Sequence, residues 1–339
     1  MTLTPFDLSD RMSSYRNALY NFVTDQAQRE LDTLTGPTAL FRMCTPFETC
    51  HSAEEFFDKT YRPLAIALPD MECRDLIRIA GLSQSGQTWV GIMGNIHGVF
   101  SKPFLDIPPT GHVVHMRYHE FYRFYGAQIV EMHAIWDLPE LMMQAKVWPM
   151  SPSLGREWCV PGPALLDGIS RGQPDPKHSA RSLQVVERML EQMKDYPAKG
   201  GPETMQLERF WHPRMGWYGP AGIGTSRGFD GFTNWHMSPW VNGMPSWSGQ
   251  EFHDLCHFFG DGAYVGETGW PAMKQTLVGD GFRGIPPTGQ TLDIRGLDFW
   301  RLEGNLIREN WVMVDLLHMY QQLGVDVLAR MRQLRKTSL

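Results

Sequence analysis

The chain has 339 residues, enough for about two domains, with a formal charge of −6 and 42% hydrophobic residues. The acidic balance argues against the basic face of a nucleic-acid binder, and no apolar run reaches the roughly 18 residues of a membrane span. The N-terminal MTLTPFDLSDRMSSYRN lacks a cationic-then-apolar export signal, so a cytoplasmic protein is expected.

In chain order, Met12, Tyr15, Leu19, Phe22 and Val23 fall on one stripe, which predicts a helix over 8–34. Ser52-Ala-Glu-Glu55 has capping-box spacing before Phe56, Phe57 and Tyr61, so a second helix starts there, to be bent or ended by Pro63. Strand-like runs follow at 71–80, 88–99, 113–124 and 129–137, and a short helix at 139–147 closes the half. Pro149, Pro152, Pro161, Pro163, Pro174 and Pro176 then mark a semi-rigid connector, anchored on a domain surface by Trp148, Trp158 and Leu165. In the second half, Val185, Val186, Met189, Leu190 and Met193 predict a helix over 182–193. A Gly-rich segment (217–224), a short helix (229–237), strands at 251–259, 262–270, 291–302 and 306–315, and a helix over 316–332 complete the chain. Each half is helices first and an antiparallel meander after, an α+β domain. The expected division is 1–150, a connector over 151–178, and 179–339.

The halves are copies of each other. Ile107-Pro-Pro-Thr-Gly111 recurs as Ile285-Pro-Pro-Thr-Gly289, an offset of 178 that also aligns Arg117 with Arg295, Phe121 with Phe299, Glu131 with Glu309 and Asp137 with Asp315. The period is too long for a solenoid and reads as tandem duplication of one domain.

The last hairpin of each copy concentrates the chemistry. Gly304-Asn305 suits a two-residue turn. Closing it between Glu303 and Leu306 sets Asp298 opposite Trp311. Alternation then puts Glu309, Trp311, Met313 and Asp315 on one face with Ile294, Asp298 and Trp300. Arg295, Arg301, Arg308 and Asn310 take the other face. By the same rule the first copy gathers Met116, Tyr118, Glu120, Glu131, His133, Ile135 and Asp137. Acids among apolar groups are desolvated, which raises a carboxyl pKa toward usefulness as a proton donor or base near neutrality. Two rivals stay open: pairing with arginines for Glu131 and Glu309, and helix capping for Asp137 and Asp315. A three-residue turn would flip the facing.

The run Gly284-Ile-Pro-Pro-Thr-Gly289, then Gly304-Asn-Leu-Ile-Arg-Glu-Asn-Trp311, Asp315 and Gln322-Leu-Gly324 resembles the SnoaL-like polyketide cyclase family, part of the nuclear-transport-factor-2-like superfamily. The first copy matches through Ile107–Gly111, Ile129-Val-Glu131 and Asp137, with Met132-His133 where the second has Asn310-Trp311. The resemblance implies cone-shaped domains, a bent antiparallel sheet wrapped on helices with a pocket at the open end. It implies a cofactor-free aldol cyclase whose acid/base best matches Asp315, then Asp137. It also implies two such domains packed as an intramolecular pseudo-dimer, with room for a further homo-oligomer.

The remaining candidates are assigned around that pocket. His236, in an aromatic stretch with Trp235 and Trp240, is a proton shuttle by its ordinary pKa near 6.5. Trp217 and Tyr218 precede the Gly-rich loop and form a rim; that loop lacks the context of a phosphate cradle. His253 and His257 sit four apart in a predicted strand, about 14 Å at strand rise, too far for one ion. His257 is kept as a lining residue with Asp298, Trp300, Trp311 and Met313; His97, Glu120 and His133 line the first copy. The five cysteines are scattered, with no Cys-x-x-Cys pair and no evident histidine partner, and no Gly-x-Ser-x-Gly elbow is present. Neither a metal nor a cofactor is expected. The reading is an acid/base enzyme acting on a small apolar carbonyl compound, without nucleic-acid or membrane partners. The alternatives are a carrier of such a ligand, without turnover, or a scaffold with filled pockets.

Overall fold

The computed structural model describes residues 3–246 and 254–337. They form two compact units, one of residues 3–149, 159–173 and 326–337, the other of 150–158 and the described part of 174–325. The proline-rich connector is therefore shared. Residues 151–158 and 174–178 pack with the second unit and residues 159–173 with the first. The predicted terminal helix is two helices, Leu316–Gln322 and Val327–Thr337, broken at Gly324, whose φ of 78° ends the first. The second of these belongs to the first unit.

In the first unit the predicted opening helix is three: Pro5–Arg11, Ser13–Tyr20 and Thr24–Leu34. Ser52 caps Ala53–Lys59 as its spacing predicts, its hydroxyl accepting from the Glu55 N–H at 3.0 Å. The sheet comprises β1 (Thr35–Met43), β2 (Thr49–Cys50), β3 (Glu72–Leu82), β4 (Thr88–Val99), β5 (Val113–Tyr125) and β6 (Gln128–Trp136). Its order is β2-β1-β6-β5-β4-β3, antiparallel except for the β1/β6 pair. Helix Ser13–Tyr20 packs over β3, and Arg16 reaches from it into the sheet. The strands β1 and β2 were not predicted; β1 follows directly on the third helix, where the sequence reads as a helix end.

The second unit repeats this plan. Its strands are β7 (Trp211–Tyr218), β8 (Thr225–Arg227), β9 (Cys256–Asp261), β10 (Tyr264–Thr276), β11 (Thr291–Glu303) and β12 (Leu306–Val314), in the order β8-β7-β12-β11-β10-β9. The pair β7/β12 is parallel, matching β1/β6. Helix Pro176–Met193 lies on β9 and β10 and buries Val186, Met189, Leu190 and Met193. The predicted strand over 251–259 begins partly outside the described residues, as does His253.

One irregularity decides which side chains face inward. The hairpin turns are as predicted: Tyr125 pairs with Gln128 and Glu303 with Leu306, with Gly126 and Gly304 at φ of 59° and 61°. Both hairpins then carry a bulge at equivalent places. Arg123 pairs with Glu131 while Phe124 pairs with Ile129; Arg301 pairs with Glu309 while Leu302 pairs with Ile307. Val130 and Arg308 are the extra residues, and each reverses the facing of the rest of its strand. Asp298 lies opposite Val312, not Trp311.

Candidate functional site

The second unit encloses a cavity of about 100 Å³ between the sheet and helix Pro176–Met193. It adjoins an outer chamber of about 250 Å³, and His236, Trp240 and Ile223 line both. From the sheet, β11 contributes Gly296, Asp298 and Trp300, and β12 contributes Asn310, Val312 and Val314, the face set by the bulge. Trp211 and Trp217 enter from β7, and Glu267 and Gln275 from β10. A π-helical turn, Thr233–Met237, carries His236; such turns recur at functional sites.

Glu267 is the central group, and the sequence reading missed it. It is 1% exposed, and β10 holds it directly across from Asp298 on β11. Burial, and then the neighbouring Asp298, push its carboxyl well above the usual carboxylate range, which favours the neutral acid. Its Oε1 has no hydrogen-bond partner. Buried polar atoms are nearly always paired, yet this cavity also has unpartnered Nε1 atoms on Trp211 and Trp300 and an unpartnered Nδ1 on His236. Other polar groups in the wall are engaged: Gln275 Oε1 accepts from Trp240 Nε1 at 2.7 Å, and Asn310 Nδ2 donates to the Phe299 carbonyl at 3.0 Å.

His236 stacks on Trp217 with ring centroids 3.8 Å apart. Burial pushes its pKa down to about 3. It therefore stays neutral across physiological pH, which corrects the expected shuttle at 6.5. It can give or accept one hydrogen bond but does not change charge.

The two expected acids lie elsewhere. Asp315 caps helix Leu316–Gln322, its Oδ1 accepting from the His318 N–H at 3.1 Å, and its Oδ2 lies 3.1 Å from Arg295 Nη1. Asp137 caps Leu138–Gln144 in the same way, accepting from the Glu140 N–H at 3.3 Å, with Arg117 at 3.7 Å. Neither lines the cavity, so the assignment of Asp315 and Asp137 as proton carriers is withdrawn in favour of the capping alternative. We expect Asp315→Ala to cost about 1–3 kcal/mol, from a lost cap and a partly buried ion pair. Ligand binding by the second unit should be unchanged, as thermal unfolding with and without ligand would show.

The bulge also removes other expected lining residues. Trp311 and Met313 are fully buried on the opposite face. Tyr218 packs on Trp311 and its hydroxyl donates to Glu309 at 3.3 Å, while Glu309 also meets Arg301. His257, on β9, is half-buried and outside the cavity wall. Trp235 is exposed and lines only the outer chamber. Trp217, His236, Asp298 and Trp300 are thus the predicted residues that the structure brings together.

The first unit handles the same positions differently. Glu120, equivalent to Asp298 by the 178 offset, is fully buried and faces Ile92 where Asp298 faces Glu267. Arg16 Nη1 donates to it at 2.7 Å, joined by the hydroxyls of Tyr122 at 2.8 Å and Tyr61 at 3.1 Å and by Trp136 Nε1 at 3.3 Å. Arg16 also pairs with Asp75 at 2.7 Å, and the Tyr118 hydroxyl donates to Asp75 across Gly94, where a Cβ would collide with it. The interior that forms a cavity in one copy is filled by an arginine in the other. His133 lies on the outer face, 3.2 Å from Glu131, and burial lowers its pKa. Burial opposes ionisation of Glu131, but His133, Arg42 and Arg123 outweigh it and hold the carboxyl well below its ordinary range. His97 is half-buried on β4 and faces His115, away from Glu120.

Residues 15–145 and 203–323 each match the family described as SnoaL-like polyketide cyclase. The matches span most of the chain, and the protein belongs to that family, as two copies of the domain in tandem. Among solved structures, IdmH of Streptomyces antibioticus, a proposed polyketide cyclase, is 19% identical over 41% of this chain and 98% of its own, with a TM-score of 0.34. AclR of Streptomyces galilaeus, a proposed hydroxylase, is 14% identical over 42% of this chain and 87% of its own, at 0.35. A nuclear-transport-factor-2-like protein of Burkholderia thailandensis is 16% identical over 41% and 96%, at 0.32. No curated protein matches the chain. Among the described residues, no helix is long and apolar enough to cross a membrane, and no cluster of metal-ligating side chains is present.

Proposed function

We propose that the second unit is an acid/base enzyme, needing no cofactor, that acts on small, apolar, carbonyl-bearing molecules. The observation that carries this reading is Glu267, a carboxyl buried in a tryptophan-lined cavity directly across from a second carboxyl, a setting that raises its pKa and favours the neutral acid. A neutral carboxylic acid donates to a substrate carbonyl oxygen and stabilises the negative charge that gathers there as an α-proton leaves. Asp298, across the strand pair, takes that proton. The enol so formed either attacks a second carbonyl of the same molecule, an aldol closure, or is reprotonated at another carbon, an isomerisation. Each positioned acid or base contributes about 10²–10⁴ in rate. His236 and the indole N–H groups orient the substrate without changing charge. With Arg16 occupying the equivalent interior, the first unit is assigned no turnover.

The rival reading, a carrier of the same ligands without turnover, rests on the same cavity. Binding comes first in either case. Four tryptophans line the inner cavity, so titration with acetophenone and larger aryl ketones should quench the intrinsic fluorescence saturably. Val312→Phe, which fills the cavity, should weaken that binding at least about tenfold. The absence of saturable quenching with every ketone tried would remove both readings and leave a scaffold.

A further inference from the structure

The second unit also carries a cation that the chemistry of its inner cavity does not use. We infer that Arg283 forms a carboxylate subsite in the wall of the outer chamber, so that the ligand of the second unit is a ketone with an anionic tail. The carbonyl head enters the inner cavity and the tail ends on the guanidinium. This subsite rests on the ketone reading of the inner cavity and names its substrate class. Arg283 lines the outer chamber of about 250 Å³ together with Trp235, Asn242 and Asp280, and that chamber adjoins the inner cavity at His236, Trp240 and Ile223.

Arg283 sits in a tight turn, in which Phe282 and Ile285 exchange N–H to carbonyl bonds at 2.8 Å. The first copy closes the same turn between Phe104 and Ile107, with Leu105 in the place of Arg283 and the same left-handed backbone, φ 51° against 47°. An arginine is therefore not what the turn requires. Two of its donors are fixed: Nε gives to the Gly222 carbonyl at 2.9 Å, and Nη2 gives to the Pro152 carbonyl. Both acceptors are neutral main-chain groups, which orient the guanidinium without cancelling its charge. Nη1 takes no partner among the described residues.

No carboxylate of the described residues forms an ion pair with Arg283. Glu157 is the acid that acts on it, and that carboxyl is engaged by the Gly222 N–H at 3.1 Å and by the Ser153 hydroxyl. Burial pulls the Arg283 pKa below the ordinary arginine value, and Tyr320 and then Glu157 offset this only in part. The guanidinium stays charged at neutral pH, half-buried and short of a counter-ion. Such a cation is stabilised by an arriving anion, through charge-assisted hydrogen bonds from a donor fork that is already oriented. Asp280 is exposed on the same wall, so the chamber holds one cation and one acid. That balance suits a monoanion such as a carboxylate and repels the second charge of a phosphate monoester. The rival role for Arg283 is a strap between Pro152 and Gly222, which needs hydrogen bonds but no charge.

The test is fluorescence titration of the whole protein with acetophenone and with benzoylpropionate, benzoylbutyrate and benzoylvalerate, each acid beside its methyl ester. The members of a pair share the ketone and the tail and differ in charge. At low salt at least one acid should bind wild type about tenfold or more tightly than its ester, and about 0.5 M salt should shrink that preference. Arg283→Gln, which can still donate to a main-chain carbonyl but carries no charge, should bring the acid-to-ester ratio down to about one. A strap would leave the ratio where it is. Acids and esters that bind wild type equally would overturn the subsite and leave the cavity reading standing, and a preference that survives in Arg283→Gln would overturn the role of Arg283. If no ketone binds, acetophenone included, the subsite falls with the cavity reading. Should the variant fold poorly, the wild-type ratio and its salt dependence still decide, since Arg283 is the cation among the described residues of that wall.

Discussion

Replacing Arg16 by methionine should destabilise the first unit by about 3–5 kcal/mol, the usual cost of removing one partner from a buried ion pair. Two carboxylates depend on that guanidinium: Glu120, fully buried at 2.7 Å, and Asp75, also at 2.7 Å. Burial works against the Arg16 charge, but the two acids outweigh it and raise its pKa well above the ordinary arginine value. Without the cation, Glu120 keeps only neutral donors from Tyr61, Tyr122 and Trp136, too little to hold an ionised carboxylate in an apolar interior. Urea unfolding should show an early transition for the first unit, with the second unit's transition unmoved. Neutralising the acids as well, in Arg16→Met with Asp75→Asn and Glu120→Gln, should recover most of the loss, because the deficit lies in the stranded charge rather than in packing. A single mutant as stable as wild type would contradict this account.

Glu267→Gln should have the opposite effect on stability and the larger effect on function. The amide keeps the shape of the acid and cannot ionise, so ketone binding should persist while turnover falls by about 10²–10⁴. The stability change depends on pH, and its sign follows from the raised folded-state pKa. Below about pH 4.3 the folded and unfolded chains both hold the proton, and Glu267 costs nothing. As pH rises above that value the unfolded chain releases a proton that the folded chain keeps. Wild-type stability then falls by up to about 1.4 kcal/mol per pH unit, until the buried group itself ionises. The variant lacks this slope and should be the more stable protein at about pH 8, read by denaturant midpoints across the range. His236 acts in the other direction. Its folded pKa of about 3 lies below its unfolded value, so its contribution is full above about pH 6.5 and is lost as pH falls toward 3.

The duplication, the order of elements and the tight hairpin turns are all legible in the sequence, because the offset of 178 and the glycines at 126 and 304 leave marks on it. The inward face of the last strand is not. An ordinary valine at 130 and an ordinary arginine at 308 make the bulges, and neither residue announces one. That slip put Trp311 and Met313 into the pocket and kept Asn310 and Val312 out of it. Asp315 and Asp137 lie just beyond the reversed strands, where capping had been the rival reading. Glu267 escaped notice for a different reason. Its partner Asp298 lies on a strand reached through the long connection 277–290, and no short turn fixes that register. The visible hint was an acid inside the otherwise uncharged stretch Tyr264-Val-Gly-Glu-Thr-Gly-Trp270, the first half of β10. Arg16 likewise lies beside the apolar stripe of its helix, and only the distant Asp75 and Glu120 explain its burial.

Difference infrared spectroscopy of wild type against Glu267→Gln at neutral pH reads the state of that carboxyl directly. The account predicts a protonated-acid carbonyl band that vanishes in the variant and that shifts in wild type when an aryl ketone binds. A carboxylate band in its place, indifferent to added ketone, would contradict it.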